Sequence, residues 1–158
     1  MNLASLVLAV SALSLSACAT RPSLDSTPAE TAAPASAALQ ETASLMVSIG
    51  QHGEGASVSD IADLSAQVDA QVAAVPSDPF VLKLAAQSRQ TLASYTEDKA
   101  QRTALRQKAL AEFDKAITLS KPETASRIVK INGQDTEVDL KDIPDLRAQL
   151  AATLAVNE

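Results

Sequence analysis

The chain has 158 residues, of which 46% are hydrophobic but only 2% aromatic, and Lys and Arg number 13 against 19 Asp and Glu. The resulting net charge of -6 argues against nucleic acid as a partner, because a phosphate backbone recruits clustered positive charge. One Cys and one His are too few for a Cys/His zinc site, so we expect no metal, no cofactor and no conventional catalytic centre.

The first 17 residues form an apolar run that is interrupted by Ser and ends in small residues. This run is too short to span about 30 Å of hydrocarbon as a mature helix, and it is typical of a secretory signal peptide. It ends in Leu15-Ser16-Ala17-Cys18. This segment resembles the lipobox of bacterial lipoproteins, in which a branched apolar residue and two small residues precede the cysteine that takes the lipid. It departs from the usual pattern in having no charged residue before Arg21.

The lipoprotein resemblance implies that residues 1–17 are removed and that Cys18 is the lipid-attachment site, with acyl chains on its sulfur and new amino group. Two or three acyl chains anchor a protein stably in a bilayer, whereas one gives only marginal binding. Ala19 follows the cysteine where Asp would signal retention at the inner membrane. The resemblance therefore implies an outer-membrane lipoprotein facing the periplasm. The alternative is an ordinary secreted protein with an incidental cysteine.

Residues 18–36 are rich in Pro, Ser, Thr and Ala. Such a segment cannot bury enough apolar surface to order itself, so we predict a flexible tether behind the lipidated cysteine. Residues 37–158 are left to form a single domain. Because Ala and Leu dominate and aromatic residues are scarce, this domain is predicted to be mainly helical.

Apolar residues recur at steps of three and four through most of this domain, which predicts a series of amphipathic helices. The first contains Leu39 to Ile49, with Gly50 as its C-cap, and the glycine-rich stretch after it is a predicted hinge. The next three carry the following apolar stripes: Val58, Ile61, Ser65, Val68, Val72 and Val75, after a cap at Ser57 or Ser59; Phe80, Leu84, Ser88, Leu92 and Tyr95, after Asp78-Pro79; and Leu105, Ala109, Phe113, Ala116 and Ile117.

After the fourth helix, apolar residues recur at every second position on either side of Asn132-Gly133. This alternation around an Asn-Gly turn predicts a β-hairpin at about residues 127–140. A two-residue loop pairs Ile131 with Gln134, Lys130 with Asp135 and Val129 with Thr136. Val129, Ile131, Val138 and Leu140 then share one face. Pro144 opens a last helix, whose stripe is Leu146, Leu150 and Leu154.

Ala109, Phe113, Ala116 and Leu119 resemble the second-helix pattern of a tetratricopeptide repeat, and Pro122 falls near the position of that repeat's terminal proline. The resemblance implies an antiparallel helical hairpin with small residues at the helix contact. The first-helix signature of the repeat is missing, so a generic Ala-rich hairpin is the favoured interpretation. The predicted fold is mainly α, with antiparallel helical hairpins and one small β-hairpin.

Two groups of residues suggest chemistry at first sight. Asp135, Glu137, Asp139 and Asp142 have the spacing of calcium ligands, but the sixth and twelfth positions of such a loop hold Leu140 and Leu146. A solvated strand face is therefore the favoured interpretation. His52 lies in the glycine-rich stretch, where a lone histidine is usually exposed.

These observations predict a lipid-anchored envelope protein with a non-catalytic role. Its partners would be the bilayer, through acylated Cys18, and envelope or periplasmic proteins that dock on the helical hairpin or add a strand to the β-hairpin. One alternative is a cell-wall hydrolase that uses paired carboxylates, which would have to converge in a pocket. Another is a small-ligand carrier, although Ala-rich stripes favour close packing over a cavity.

Overall fold

A computed structural model describes residues 33–34, 36–120 and 126–156. Cys18, the predicted signal peptide at residues 1–17, most of the predicted tether and Pro122 lie outside the described residues. Within them the chain forms the following elements: β1 (Ala33–Pro34), α1 (Ala37–His52), α2 (Val58–Ala74), α3 (Pro79–Tyr95), α4 (Lys99–Leu119), β2 (Arg127–Ile131), β3 (Gln134–Val138) and α5 (Ile143–Val156). The predicted fold class, mainly helical with one β-hairpin, is confirmed.

Short polar side chains begin the first four helices. Ser57 caps α2 in a capping box with Asp60, whose carboxylate accepts hydrogen bonds from the Ser57 backbone and hydroxyl. The hydroxyl bond and then the backbone bond lower the pKa of Asp60. Asp78 caps α3, with Pro79 in the first turn, as its sequence predicts. Ser36 and Asp98 cap α1 and α4. These starts are therefore set by local sequence.

The end of α1 differs from the prediction. Gly50 lies inside the helix, which continues to His52, and Gly53 is the C-cap. A Cβ atom added to Gly53 would overlap the Tyr95 ring and would lie 2.6 Å from the Ile49 carbonyl oxygen. The close approach of Tyr95, at the end of α3, therefore requires a glycine at this C-cap.

Helix α3 is the central element of the fold, because eleven of its 17 residues are buried. The sequence predicts one apolar stripe, but α3 contributes to three separate apolar clusters. Phe80, Val81 and Leu84 pack with α1 and the hairpin, Ala85, Leu92 and Ala93 pack with α1, α2 and the start of α4, and Leu82 and Ala86 pack with α4 and α5. The helix is thus enclosed on most sides.

Helices α3 and α4 form an antiparallel hairpin. The end of α3, at Leu92, packs with Leu105 near the start of α4, while the beginning of α3, at Leu82, packs with Ala116 near its end. Alanines at the contact let the two backbones approach closely. Phe113 is fully buried between them.

The apolar stripe of α2 is only partly buried. Ile61 and Val68 are enclosed, but Val58 is 71% exposed and is not a core residue. It occupies the first position of the helix, directly after the Ser57 cap, where periodicity does not ensure a covering neighbour. Among the described residues, no helix has both the length and the apolar character required to cross a membrane.

The three strands form one sheet in the order β1-β2-β3. Strands β2 and β3 are antiparallel, with Ile131 opposite Gln134, Lys130 opposite Asp135 and Val129 opposite Thr136, so the predicted register is confirmed. Strand β1 adds in parallel to the other edge of β2, with Ala33 opposite Arg127. This short strand lies in the segment predicted as a tether, so the sheet extends to residues that the sequence pattern left outside the domain.

Candidate functional site at the open edge of the sheet

The hairpin turn has the geometry that Asn-Gly favours. Asn132 has φ 51° and Gly133 has φ 80°, both in the left-handed region. In a two-residue turn of this kind, the flanking residues form a hydrogen-bonded pair and the pairs then alternate along the ladder. The backbone groups of Val129 and Thr136 therefore bond each other, whereas those of Lys130 and Asp135 point to the two outer edges.

One face of the hairpin is fixed to the helical layer. Val129 and Val138 are buried against Leu39, Phe80 and Val81 and their neighbours, with Ile131 and Leu140 packed alongside. The guanidinium of Arg127 lies over the Phe80 ring, 4.9 Å from its centroid. The four apolar residues predicted to share a face do so. This packing gives two strands the support that an isolated hairpin lacks.

The outer edge of β2 is closed. Its first residues pair with β1, and beyond β1 the side chain of Gln40 takes over. The Gln40 amide nitrogen donates to the Lys130 carbonyl at 2.7 Å, and the Lys130 N–H donates to the Gln40 amide oxygen at 2.7 Å. The Gln40 side chain thus satisfies the backbone groups that a further residue of a paired strand would satisfy.

The outer edge of β3 is open within the described part of the chain. In an antiparallel ladder the bonded pairs alternate with pairs whose backbone groups point outward. The Lys130 backbone points outward to Gln40, and by the same alternation the N–H and C=O groups of Asp135 and Glu137 point away from β2. Both residues are exposed, and the described residues supply no partner for these backbone groups. Such an edge is a template for pairing with another strand.

The side chains on the solvent face of the hairpin carry mixed charge. Lys130 Nζ lies 2.6 Å from the Asp135 carboxylate, and both side chains are about two-thirds exposed. The Ser126 hydroxyl donates to the Glu137 carboxylate. One cation and two carboxylates on a small face give it a net negative charge, and a pair this exposed adds little stability.

The four acidic residues with calcium-like spacing do not converge. Asp135 pairs with Lys130, Glu137 accepts from Ser126, Asp139 accepts from the Lys141 N–H, and Asp142 pairs with Lys83. The described residues contain no cluster of three or more His, Cys, Asp or Glu side chains that could hold a metal. His52 is exposed, as its surroundings predict. Each carboxylate therefore has a separate structural role.

Two carboxylates do meet elsewhere, at Arg89. This side chain is 1% exposed, and its Nε donates to both oxygens of Glu112 at 2.9 and 3.0 Å. Its Nη2 lies 2.7 Å from Asp69, which Lys108 also contacts at 3.2 Å. The Arg89 Nη1 donates to the Ser65 hydroxyl at 3.3 Å. The network joins α2, α3 and α4.

The pKa values of the two carboxyl groups at Arg89 are shifted in opposite directions. Burial raises the pKa of Glu112, and the charge and hydrogen bond of Arg89 only partly oppose this effect. Burial also acts to raise the pKa of Asp69, but the bonds and charges of Lys108 and Arg89 together outweigh it and lower that pKa. Glu112 is the more enclosed of the two, which accounts for the difference.

A hydrolase that uses paired carboxylates needs two acidic side chains in the lining of one cavity. Four cavities lined entirely by described residues have volumes from about 240 to 520 Å³. Each has at most one acidic residue in its lining, namely Asp78, Glu97 or Glu41, and one has none. Asp69 and Glu112 line none of them and are both directed at Arg89. These four cavities therefore do not present a carboxylate pair to a substrate.

Three important residues were missed by the sequence analysis: Gln40, Lys83 and Arg89. Lys83 is 6% exposed, and its Nζ donates to the Asp139 carbonyl and the Asp142 carboxylate, each at 2.6 Å. A signal existed for two of them, because Lys83 and Arg89 are the only charged residues in α3. A helix with so few charges is typically buried on most sides, and its charges then need partners.

Comparison of the chain with protein-family models, curated proteins and solved structures finds no match.

Proposed function

We propose that this chain is a lipid-anchored envelope protein whose folded domain is a non-catalytic docking module, with the open edge of β3 as its partner site. The observation that carries the docking role is the asymmetry of the sheet. One edge is closed by β1 and by Gln40, whereas the backbone groups at the other edge have no partner among the described residues. Strand addition to an exposed edge is a general mode of protein recognition.

The anchoring role rests on the lipobox resemblance at Leu15 to Cys18, and the fold is compatible with it. From Cys18 to Ala33 the chain has 15 residue steps, which can extend to about 50 Å at most. Because Ala33 pairs with β2 at the edge remote from β3, a chain arriving from the bilayer joins the sheet at its closed edge. The open edge is then left free for a partner.

Fatty-acid labelling tests the anchor. In a bacterial host, radiolabelled palmitate should be incorporated into the wild-type chain and not into Cys18→Ser. Membrane fractionation should place the labelled chain in the outer-membrane fraction. Equal labelling of the two chains, or labelling of neither, would remove the basis of the lipid anchor.

Site-specific photo-crosslinking tests the docking role. A photoreactive residue at Gln134, at the start of the open edge, should trap a defined envelope protein in intact cells. The matched control is Gln107, which is also an exposed glutamine but lies on α4. Defined adducts from Gln107 and none from Gln134 would move the partner site to the helices, and the absence of a defined adduct from either would contradict docking on both surfaces.

A further inference from the structure

We propose that the open edge of β3 accepts an extended partner segment in which basic residues alternate with β-branched apolar residues. This inference rests on the proposed docking role and specifies the chemistry of the partner. It follows from three features of the hairpin: the direction of its free backbone groups, the charge on its solvent face, and the nature of the residues on its core face.

The backbone supplies the pairing. The N–H and C=O groups of Asp135 and Glu137 point outward at alternate positions of β3. A partner strand can therefore exchange up to four main-chain hydrogen bonds with these two residues. Because the hairpin is held against α1 and α3 through Val129 and Val138, the edge is ordered before the partner arrives. This order lowers the entropic cost of binding.

The side chains supply the selectivity. Asp135 and Glu137 share the solvent face, and Lys130 is the cation on this face that pairs with Asp135. A partner strand would place its own residues beside these carboxylates, at cross-strand distances of about 5 Å. Lys or Arg at those positions is attracted, whereas Asp or Glu is repelled. The net charge of -6 on the whole chain also steers a basic segment towards it.

The same charges disfavour a second copy of the chain as the occupant. If two β3 strands paired antiparallel about Thr136, Asp135 of one copy would face Glu137 of the other in both halves of the pair. Like charges directly opposite each other destabilise a strand pair. The acidic edge is thus suited to a basic partner and protected from self-association.

The side of β3 that faces the helices favours apolar residues at the intervening positions of the partner strand. Thr136 is half-buried and Val138 is buried on the side that faces the helices. A partner residue next to them would extend the apolar layer formed with Val129 and Leu140. Alternation of basic and β-branched residues therefore matches both faces of the sheet.

The binding test uses the full chain in detergent and three capped seven-residue peptides. In the first peptide Lys alternates with Val, in the second Glu alternates with Val, and the third is the Lys–Val sequence with every backbone nitrogen methylated. We expect the Lys–Val peptide to bind at least tenfold more tightly than either control in fluorescence titrations. The Glu–Val peptide carries the opposite charge, whereas the methylated peptide retains the Lys charges but has no N–H group to donate to the ladder. Equal binding of the Lys–Val peptide and its methylated form would overturn strand addition, and no binding of Lys–Val would overturn the chemistry proposed for the partner.

Two variants at one position separate backbone pairing from charge. Glu137→Pro removes an outward N–H without removing a bond of the β2–β3 ladder, and Glu137→Ala removes the same carboxylate but keeps that N–H. We expect a weaker affinity in both, with a further loss of at least fivefold in Glu137→Pro. The amide exchange of Thr136 reports whether the hairpin is intact. With Thr136 protection retained, equal affinities of the two variants for the Lys–Val peptide would overturn the proposed edge. If Glu137→Pro loses this protection, the comparison of the Lys–Val peptide with its methylated form decides the same point on the unaltered chain.

Sedimentation of the full chain distinguishes a basic partner from a second copy. Dimerisation that Glu137→Pro abolishes would overturn the assignment of a basic segment and identify the occupant as another copy of the chain. A monomer that binds the Lys–Val peptide supports it. If no peptide binds but crosslinking from Gln134 still traps an envelope protein, the docking role stands and only the chemistry proposed for the partner fails.

Discussion

Replacement of Arg89 by Met is the most informative perturbation of the fold. Met matches the aliphatic stem of Arg but has no charge, so Arg89→Met keeps the stem's packing among α2, α3 and α4 while removing the centre of the ion network. Glu112 is then a carboxylate with only 11% of its side chain exposed and without its main counter-ion. We expect a marked loss of stability.

The expected loss follows from the burial of each pair. Removing one partner of a buried ion pair typically costs about 3–5 kcal/mol, because the other charge is left uncompensated. Arg89 and Glu112 meet this condition, with two bonds of 2.9 and 3.0 Å. The contact with Asp69 adds at most about 1 kcal/mol, because half of the Asp69 side chain is exposed. Arg89→Met should therefore lower the free energy of unfolding by about 3–5 kcal/mol.

Urea unfolding followed by circular dichroism measures this loss, and a double-mutant cycle assigns it to the pair. The double variant Arg89→Met/Glu112→Met should be less destabilised than the sum of the single variants, because no buried charge is left alone. Lys130→Met is the matched control, since its ion pair is exposed, and it should cost less than about 1 kcal/mol. A loss below about 1 kcal/mol for Arg89→Met, or single-variant effects that simply add, would refute the reasoning.

The same variant should change the pH dependence of stability. Burial already raises the pKa of Glu112, and removal of Arg89 takes away the charge that opposes this rise. A carboxyl group whose pKa is raised on folding binds protons more tightly in the folded chain, so stability is lost as the pH rises through its folded pKa. The penalty for Arg89→Met should therefore be smaller at about pH 5 than at neutral pH. A penalty that grows on acidification would contradict this assignment.

Four further substitutions test individual contacts by thermal or urea unfolding. Gly53→Ala should destabilise the chain by about 1–3 kcal/mol because its Cβ has no space. Gly50→Ala, at an open position in α1, should stabilise the chain by about 0.5–1 kcal/mol. Equal effects of the two substitutions would contradict the role of the close approach of Tyr95 to Gly53. Gln40→Ala should cost about 1 kcal/mol and speed amide exchange at Lys130, and unchanged exchange there would show that the edge is not closed by this side chain. Ser88→Ala should be neutral or stabilising, since the buried hydroxyl has no partner among the described residues, and a loss above about 1 kcal/mol would reveal a bond that the structure does not show.

Most local features of the fold could be predicted because their causes lie within a few residues of sequence. Asn132-Gly133 determines the turn, and the turn determines the register of β2 and β3. The caps at Ser57 and Asp78 begin their helices by bonding backbone groups two or three residues away. Periodicity located the helices, although it could not show that Val58 would be exposed.

The site itself depends on contacts between distant parts of the chain, and these could not be predicted. Gln40 and Lys130 are 90 residues apart, so nothing local to either one indicates that they bond. The pairing of β1 with β2 joins residue 33 to residue 127. These two contacts close one edge of the sheet. The sequence indicated that the hairpin has edges but not which of them is available.

By itself, the sequence determined the helices, the hairpin with its register, and the acidic character of the strand that becomes the open edge. It also provides the lipobox-like segment ending at Cys18, on which the anchoring proposal rests. Only the tertiary structure decided that α3 is central and that Arg89 and Lys83 are buried with partners. It also decided that, among the described residues, the outer edge of β3 rather than that of β2 is left open. The physical reason is that turns and caps are satisfied by neighbouring residues, whereas a buried charge or a strand edge is satisfied by whichever distant group the packing brings near.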